Sequence, residues 1–128
     1  MRKALISTKL SAPLFRYSQL IQAGPNYVCS GMIALNNDTG KLIEGDSYDQ
    51  TRRIFENLNI LMEEFSLGLE DLVSVRIFSR MFDQFPLINQ AWEEVFPGDV
   101  VPPARSAVGV SALPLNALVE IEFSFYKE

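Results

Sequence analysis

Apolar and polar residues alternate along the last stretch of the chain. Over residues 118–125, one set of alternate positions is apolar, and the other carries two carboxylates, Glu120 and Glu122. A period of two is that of a β-strand, so the apolar set must face a core. In the strand-like stretch before it, Val108 falls on one face and Arg105 on the opposite one. If the apolar faces of both stretches are buried together, Arg105 and Glu120 lie on the same polar side of the sheet.

Two other stretches follow the period of a helix. Ser47 and Gln50 have the spacing of a capping box. The apolar residues after them share one helix face: Ile54, Phe55, Leu58, Leu61, Met62 and Phe65. Asp83 can cap a second helix, which tolerates Pro86 in its first turn. The buried stripe of that helix is formed by Phe85, Ile88, Trp92 and Val95 or Phe96.

Four further strands are predicted near residues 3–8, 18–23, 27–35 and 72–78. In the last of these, Val73, Val75 and Ile77 fall on one side. The order is β-β-β-α-β-α-β-β, which predicts an α+β fold with a six-stranded sheet and two helices packed on one face. Because the uncovered face mixes charged and apolar residues, we expect other subunits to cover it.

Composition limits the possible classes of function. The 128 residues predict one domain, spanning 1–128. A net charge of −5 makes a nucleic-acid partner unfavourable. No run approaches the ~20 apolar residues of a membrane span, and the N-terminus lacks the apolar core of a signal peptide. The single cysteine, Cys29, fits a reducing compartment, so we expect a cytoplasmic protein. The chain has no histidine, the commonest general base and metal ligand, and we expect no cofactor or metal.

Arg105 and Glu120 are the candidate chemical groups, and two interpretations are open. An arginine and a glutamate on exposed strand faces commonly form a solvated ion pair worth about 0–1 kcal/mol. Alternatively, the guanidinium is a planar fork for a substrate carboxylate, and the glutamate holds or activates a water molecule.

The motifs along the chain resemble those of the Rid/YjgF family of reactive intermediate deaminases, whose members are also described as L-PSP endoribonucleases or translation inhibitors. The C-terminal signature, Pro103-Ala104-Arg105-Ser106 followed by Glu120-Ile121-Glu122, is the most specific part of the resemblance. The order and spacing of further motifs extend it over nearly the whole chain: Tyr17-Ser18-Gln19, Ser30-Gly31, Asp38-Thr39-Gly40, Gly45-Asp46, Gln50-Thr51-Arg52, Glu56-Asn57-Leu58 and Asn89.

The resemblance implies a chorismate-mutase-like fold that assembles as a homotrimeric barrel with its sites between subunits. It implies hydrolysis, without a cofactor, of small imino and enamine acids such as 2-aminoacrylate and 2-iminobutyrate to 2-oxo acids and ammonia. In this reading Arg105 binds the substrate carboxylate and Glu120 positions or activates water. The remaining site residues are substrate-binding: Tyr17, Ser30, Gly31 and Asn89.

The chain departs from the family pattern ahead of Tyr17, where Phe15-Arg16 replaces the Gly-Pro of many relatives. Ala107 stands where some relatives have cysteine, and Met32 and Ala34 replace the more usual Gln and Pro. Two alternative functions remain. One is an endoribonuclease that inhibits translation, which the acidic charge disfavours. The other is a non-catalytic trimer that binds small carboxylates or shields unfolded chains.

Overall fold

The computed structural model describes residues 1–128 and contains six strands and two helices. The strands are β1 Arg2–Leu5, β2 Leu20–Ala23, β3 Asn26–Met32, β4 Leu72–Ser79, β5 Ala104–Gly109 and β6 Val119–Tyr126. The helices are α1 Ser47–Glu64 and α2 Phe85–Val95. The predicted α+β class and element order are confirmed, although β1, β2 and β3 are shorter than predicted.

The six strands form one sheet in the order β1-β2-β3-β6-β4-β5. Neighbouring strands are antiparallel except for β4 and β5, which run parallel. A parallel pair needs a crossover connection, and α2 provides it between β4 and β5. The strand that carries Glu120 is therefore central, whereas the strand that carries Arg105 is an edge.

Both helices pack on the same face of the sheet, as predicted. Phe55 of α1 lies at the centre of this layer, and its ring meets the rings of Trp92, Phe96 and Phe123 edge to face at 5.6–6.0 Å between centroids. The alternate residues Val119, Ile121 and Phe123 of β6 are fully buried beneath the helices. Each such side chain contributes roughly 1.5–3 kcal/mol of burial free energy. The core thus fixes which side of β6 faces away from the helices.

The predicted helix caps were wrong. Asp46, not Ser47, caps α1: its carboxylate accepts the Asp49 N–H at 3.0 Å, and the Asp49 carboxylate accepts the Asp46 N–H at 3.0 Å. The Ser47 hydroxyl is buried and donates to Gln84 Oε1 at 2.7 Å, so a tertiary contact engages it instead.

Helix α2 has no side-chain cap at all. It follows a single 3₁₀ turn, Phe82–Gln84, and its N-cap is Gln84 rather than Asp83. Pro86 lies in the first turn, as predicted, where a missing N–H costs nothing.

Val73 does not share the buried side of β4 with Val75 and Ile77. The pairing of β4 with β6 shifts register between Leu72 and Ser74, and Val73 is 49% exposed. A bulge of this kind re-aims side chains, and simple alternation does not predict it.

Neither helix of the chain combines the length and the apolar character that crossing a lipid bilayer requires.

Candidate active site

The carboxylate of Glu120 lies directly over the backbone of Gly31. A Cβ atom built on Gly31 would stand 2.9 Å from both Cδ and Oε2 of Glu120, closer than real Cβ contacts allow. The register of β3 against β6 shifts between Cys29 and Met32, so Gly31 lies in a bulge. Glycine within a strand commonly marks close approach of another group. The absence of a side chain at Gly31 is therefore what lets the carboxylate sit here.

Burial and a like charge both act on Glu120. Its carboxylate is half-buried, and desolvation raises its pKa above the ordinary value of 4.5. The neighbouring Glu122 carboxylate raises that pKa further. Glu122 itself is paired with Arg76, whose Nε donates to Oε1 at 2.8 Å, whereas Glu120 makes no ion pair. Of the two carboxylates, Glu120 is the one free to engage a ligand.

A cavity of about 510 Å³ opens beside Glu120. Besides Glu120, its lining includes Tyr17, Ser30 and Gly31. The rest of its wall is mainly apolar and comes from the loop before β2, the end of β3, helix α1 and the loop before β6: Leu10, Leu14, Phe15, Met32, Ile33, Leu35, Leu61, Pro114 and Leu115. Four of the six predicted site residues thus share one cavity.

Ser30 holds the loop that carries Tyr17. Its hydroxyl donates to the Ser18 carbonyl at 2.6 Å, and its N–H donates to the Gln19 carbonyl at 3.0 Å. The Tyr17 ring is exposed at the cavity rim. Since the Ser30 hydroxyl proton is already donated, Ser30 orders the loop here, and Tyr17 is the side chain that presents a hydroxyl at the rim.

The Arg105 guanidinium is held by three side chains of α2. Its Nη1 donates to Asn89 Oδ1 at 2.9 Å, and its Cζ lies 4.9 Å from the Trp92 ring centroid and 5.3 Å from that of Phe85. Cation–π contacts of this kind contribute about 0.5–2 kcal/mol. No carboxylate of the chain pairs with this guanidinium, so its remaining N–H donors are oriented and free to meet an anion.

The expectation that Arg105 and Glu120 lie on the same side of the sheet was wrong. Arg105 is paired with Val75 and faces the helices, whereas Glu120 is paired with Phe78 on the opposite face. Paired residues of neighbouring strands project to the same side. The chain therefore presents two half-sites: a cationic one, Arg105 with Asn89, and an acidic one, Glu120 with Tyr17, Ser30 and Gly31.

The sequence pattern predicts Phe85 and Trp92 only as core residues, but both rings also contact the Arg105 guanidinium. A signal for this role was available, because Phe85, Asn89 and Trp92 are spaced i, i+4 and i+7 and so share one helix face. Leu115 in the cavity wall was also missed, and nothing in its residue type marks it.

The geometry defines a class of protein. It is a small α+β fold with an unpaired carboxylate above a glycine on one face of the sheet and an oriented arginine on the other face. The family model described as Endoribonuclease L-PSP matches residues 8–126, and the chain belongs to this family. It is the Rid/YjgF family that the sequence motifs resemble. A protein of Dermatophagoides farinae named 2-iminobutanoate/2-iminopropanoate deaminase is 40% identical, with 94% of this chain and 93% of that protein covered.

Two further relatives extend the comparison. Reactive Intermediate Deaminase A, a chloroplastic protein of Arabidopsis thaliana, is 33% identical over 95% of this chain and 65% of its own length. The crystal structure of a Rid-family protein of unknown function from Yersinia pestis superposes with a TM-score of 0.92 at 32% identity, with 98% of this chain and 99% of that chain covered.

Proposed function

We propose that this protein hydrolyses 2-imino acids and their enamine tautomers to 2-oxo acids and ammonia, without a cofactor. The observation that carries the proposal is the Glu120 carboxylate, which is half-buried, unpaired and seated on Gly31 beside a cavity. One relative named 2-iminobutanoate/2-iminopropanoate deaminase and another named Reactive Intermediate Deaminase A support it.

Glu120 acts on the water and then on the leaving nitrogen. Its carboxylate takes a proton from water as the oxygen bonds to the imine carbon, and the C=N double bond becomes single. Glu120 returns this proton to the nitrogen, which gives a tetrahedral carbinolamine with one hydroxyl and one amino group. The carboxylate then takes the hydroxyl proton and delivers it to the amino nitrogen, so the C–N bond breaks and ammonia leaves as the C=O bond forms. A raised pKa suits both steps, because a general acid–base group works best when its pKa approaches the working pH.

Arg105 binds the substrate carboxylate through the donors that Asn89 leaves free. Since Arg105 and Glu120 project from opposite faces of one chain, a complete site takes Arg105 from one subunit and Glu120 from the next. A homotrimer with three such sites accounts for this division. Repeated contacts around a threefold axis are heterologous, so each joins two different surfaces of the chain.

The test is to release 2-iminobutyrate from threonine with a threonine dehydratase and to follow imine loss. We expect the protein to accelerate it, and Glu120→Gln to lower kcat by about 10²–10⁴-fold. Arg105→Ala is expected to raise KM, since it removes the carboxylate fork. Arg52→Ala is the matched control, because Arg52 lies on the exposed side of α1, where it contacts Glu56 and the Tyr48 ring, and does not line the cavity.

No acceleration over buffer would overturn the proposal. Carboxylate binding that depends on Arg105 without turnover would instead favour the non-catalytic trimer. The same preparation could also be tested on labelled RNA. Cleavage that Glu120→Gln abolishes would favour the endoribonuclease hypothesis.

A further inference from the structure

The cavity beside Glu120 exceeds what a three- or four-carbon imino acid fills. Its volume is about 510 Å³, within the roughly 300–1,000 Å³ of pockets that enclose drug-sized ligands. The floor reaches the core of the fold, where Leu61 is 1% exposed. The space is thus a cleft built into the domain rather than a shallow surface depression.

Leu115 forms part of the apolar wall in an unusual backbone conformation. Its φ and ψ are 54° and 24°, in the left-handed region that leucine rarely adopts. Arg80 holds this loop, since its Nη2 donates to the Asn116 carbonyl at 3.2 Å and its Nε to the Ala117 carbonyl at 3.1 Å. Non-glycine residues persist in this region only where their surroundings impose it, commonly at functional sites.

The cavity lining divides into one charged group and a mainly apolar remainder, which suits a ligand with one polar and one apolar end. Glu120 is the only charged residue of the lining, and Leu14, Phe15 and Leu115 are exposed apolar members of it. A 2-imino acid with a bulky side chain has this division, because its carboxylate and imine sit together at one end.

We propose that Leu115 is a specificity-determining residue and that the site selects 2-imino acids with bulky apolar side chains over 2-iminopropanoate. The inference rests on the proposed function and names its substrate class. The imine group is processed at Glu120, and the side chain packs against the wall to which Leu115 belongs. In a hydrophobic pocket one methylene changes kcat/KM by about 10–200-fold.

The test compares imines that an L-amino-acid oxidase releases from L-leucine and from L-alanine. We expect kcat/KM to be about 10-fold or more higher for the leucine imine. Leu115→Asn should lower the leucine-to-alanine ratio by about 10-fold, since asparagine tolerates the left-handed backbone but removes the apolar surface. Val73→Asn is the control: Val73 is 49% exposed, Leu115 is 50% exposed, and Val73 lies outside the cavity.

A second measurement does not need turnover. Calorimetry should show 4-methyl-2-oxopentanoate binding about 10-fold more tightly than pyruvate, with the preference lost in Leu115→Asn. Turnover without either preference would overturn the inference and leave the proposed function standing. The binding preference without any turnover would overturn the proposed function. It would leave standing the inference that this cavity selects bulky apolar side chains through Leu115. An unchanged leucine-to-alanine ratio in assembled Leu115→Asn would also overturn the inference, because another part of the wall would then set the preference.

Discussion

Gly31, which has only a hydrogen atom as its side chain, determines where the Glu120 carboxylate can lie. In Gly31→Ala the new Cβ would meet Cδ and Oε2 of Glu120 at 2.9 Å, and the flexible end of the glutamate is the part that can move. We expect kcat to fall by about 10²-fold, the typical effect of a 1 Å misplacement at a reacting centre. The thermal unfolding midpoint should change little. Steady-state kinetics with calorimetric unfolding checks both, and an unchanged kcat would mean that the carboxylate position is not critical.

The pH dependence of the reaction follows from the neighbours of Glu120. As a base, this group must be ionised, so activity falls as the pH drops through its pKa, which lies above the ordinary 4.5. Glu122→Gln removes the like charge and leaves Arg76 unpaired, and both changes favour the ionised form. We therefore expect the acid limb of the kcat/KM profile to move to lower pH. A limb that stayed in place would assign it to another group.

At the scale of elements, a hydrogen-bonded chain joins helix α1 to the wall of the cavity. Buried Asn57 donates to the Leu35 carbonyl at 3.0 Å and accepts from Asn37 Nδ2 at 2.9 Å. Asn37 in turn accepts the Ser11 N–H at 3.0 Å, so α1, the loop after β3 and the loop before β2 are linked. This chain orders the polar part of the wall.

Asn57→Ala should lower the free energy of unfolding by about 1–3 kcal/mol, because it leaves buried polar partners unsatisfied. Asn59→Ala, on the exposed side of the same helix, should change it by less than about 0.5 kcal/mol. Urea denaturation of both variants measures the difference. Equal effects would show that the chain of hydrogen bonds does not stabilise the fold.

The sequence predicts elements well and their tertiary partners poorly. Both Ser47-Gln50 and Asp46-Asp49 fit a capping pattern, and tertiary contacts decide between them. The Ser47 hydroxyl donates to Gln84, and Gln50 Oε1 accepts the Leu118 N–H at 2.9 Å. The face of Arg105 was predicted incorrectly for a similar reason. Strand β5 is an edge, where Val108 is 49% exposed on the face away from the helices. Apolar residues there do not mark the side that faces the core.

At the scale of the whole molecule, the two half-sites make complementation the decisive test of assembly. Arg105→Ala and Glu120→Gln chains, each strongly impaired alone at a substrate concentration below KM, are mixed in equal amounts, unfolded and refolded together. In a cyclic trimer every mixed ring holds one interface with both native residues, so about one quarter of wild-type activity should return. Refolding each variant alone is the control. No recovery in mixed trimers would place both residues of each site in one chain.

The family and its fold were predictable because motif order and spacing survive in the sequence, from Tyr17 to Glu122. The single domain and the trimeric barrel stay predictions. The division of the site was not predictable, because it depends on β4 lying between β5 and β6. Strand order of this kind is set by long-range pairing, which local patterns do not record.

The burial of Cys29 lowers the reactivity of its thiol toward electrophiles such as imines. Its thiol lies in the lining of the cavity, is 3% exposed, and burial raises its pKa to about 12. Only the thiolate is a strong nucleophile, so the protonated sulfur does not attack a passing imine carbon. The protein should therefore escape inactivation by its own substrate. An aromatic disulfide reagent should label no thiol in the folded protein and one after unfolding.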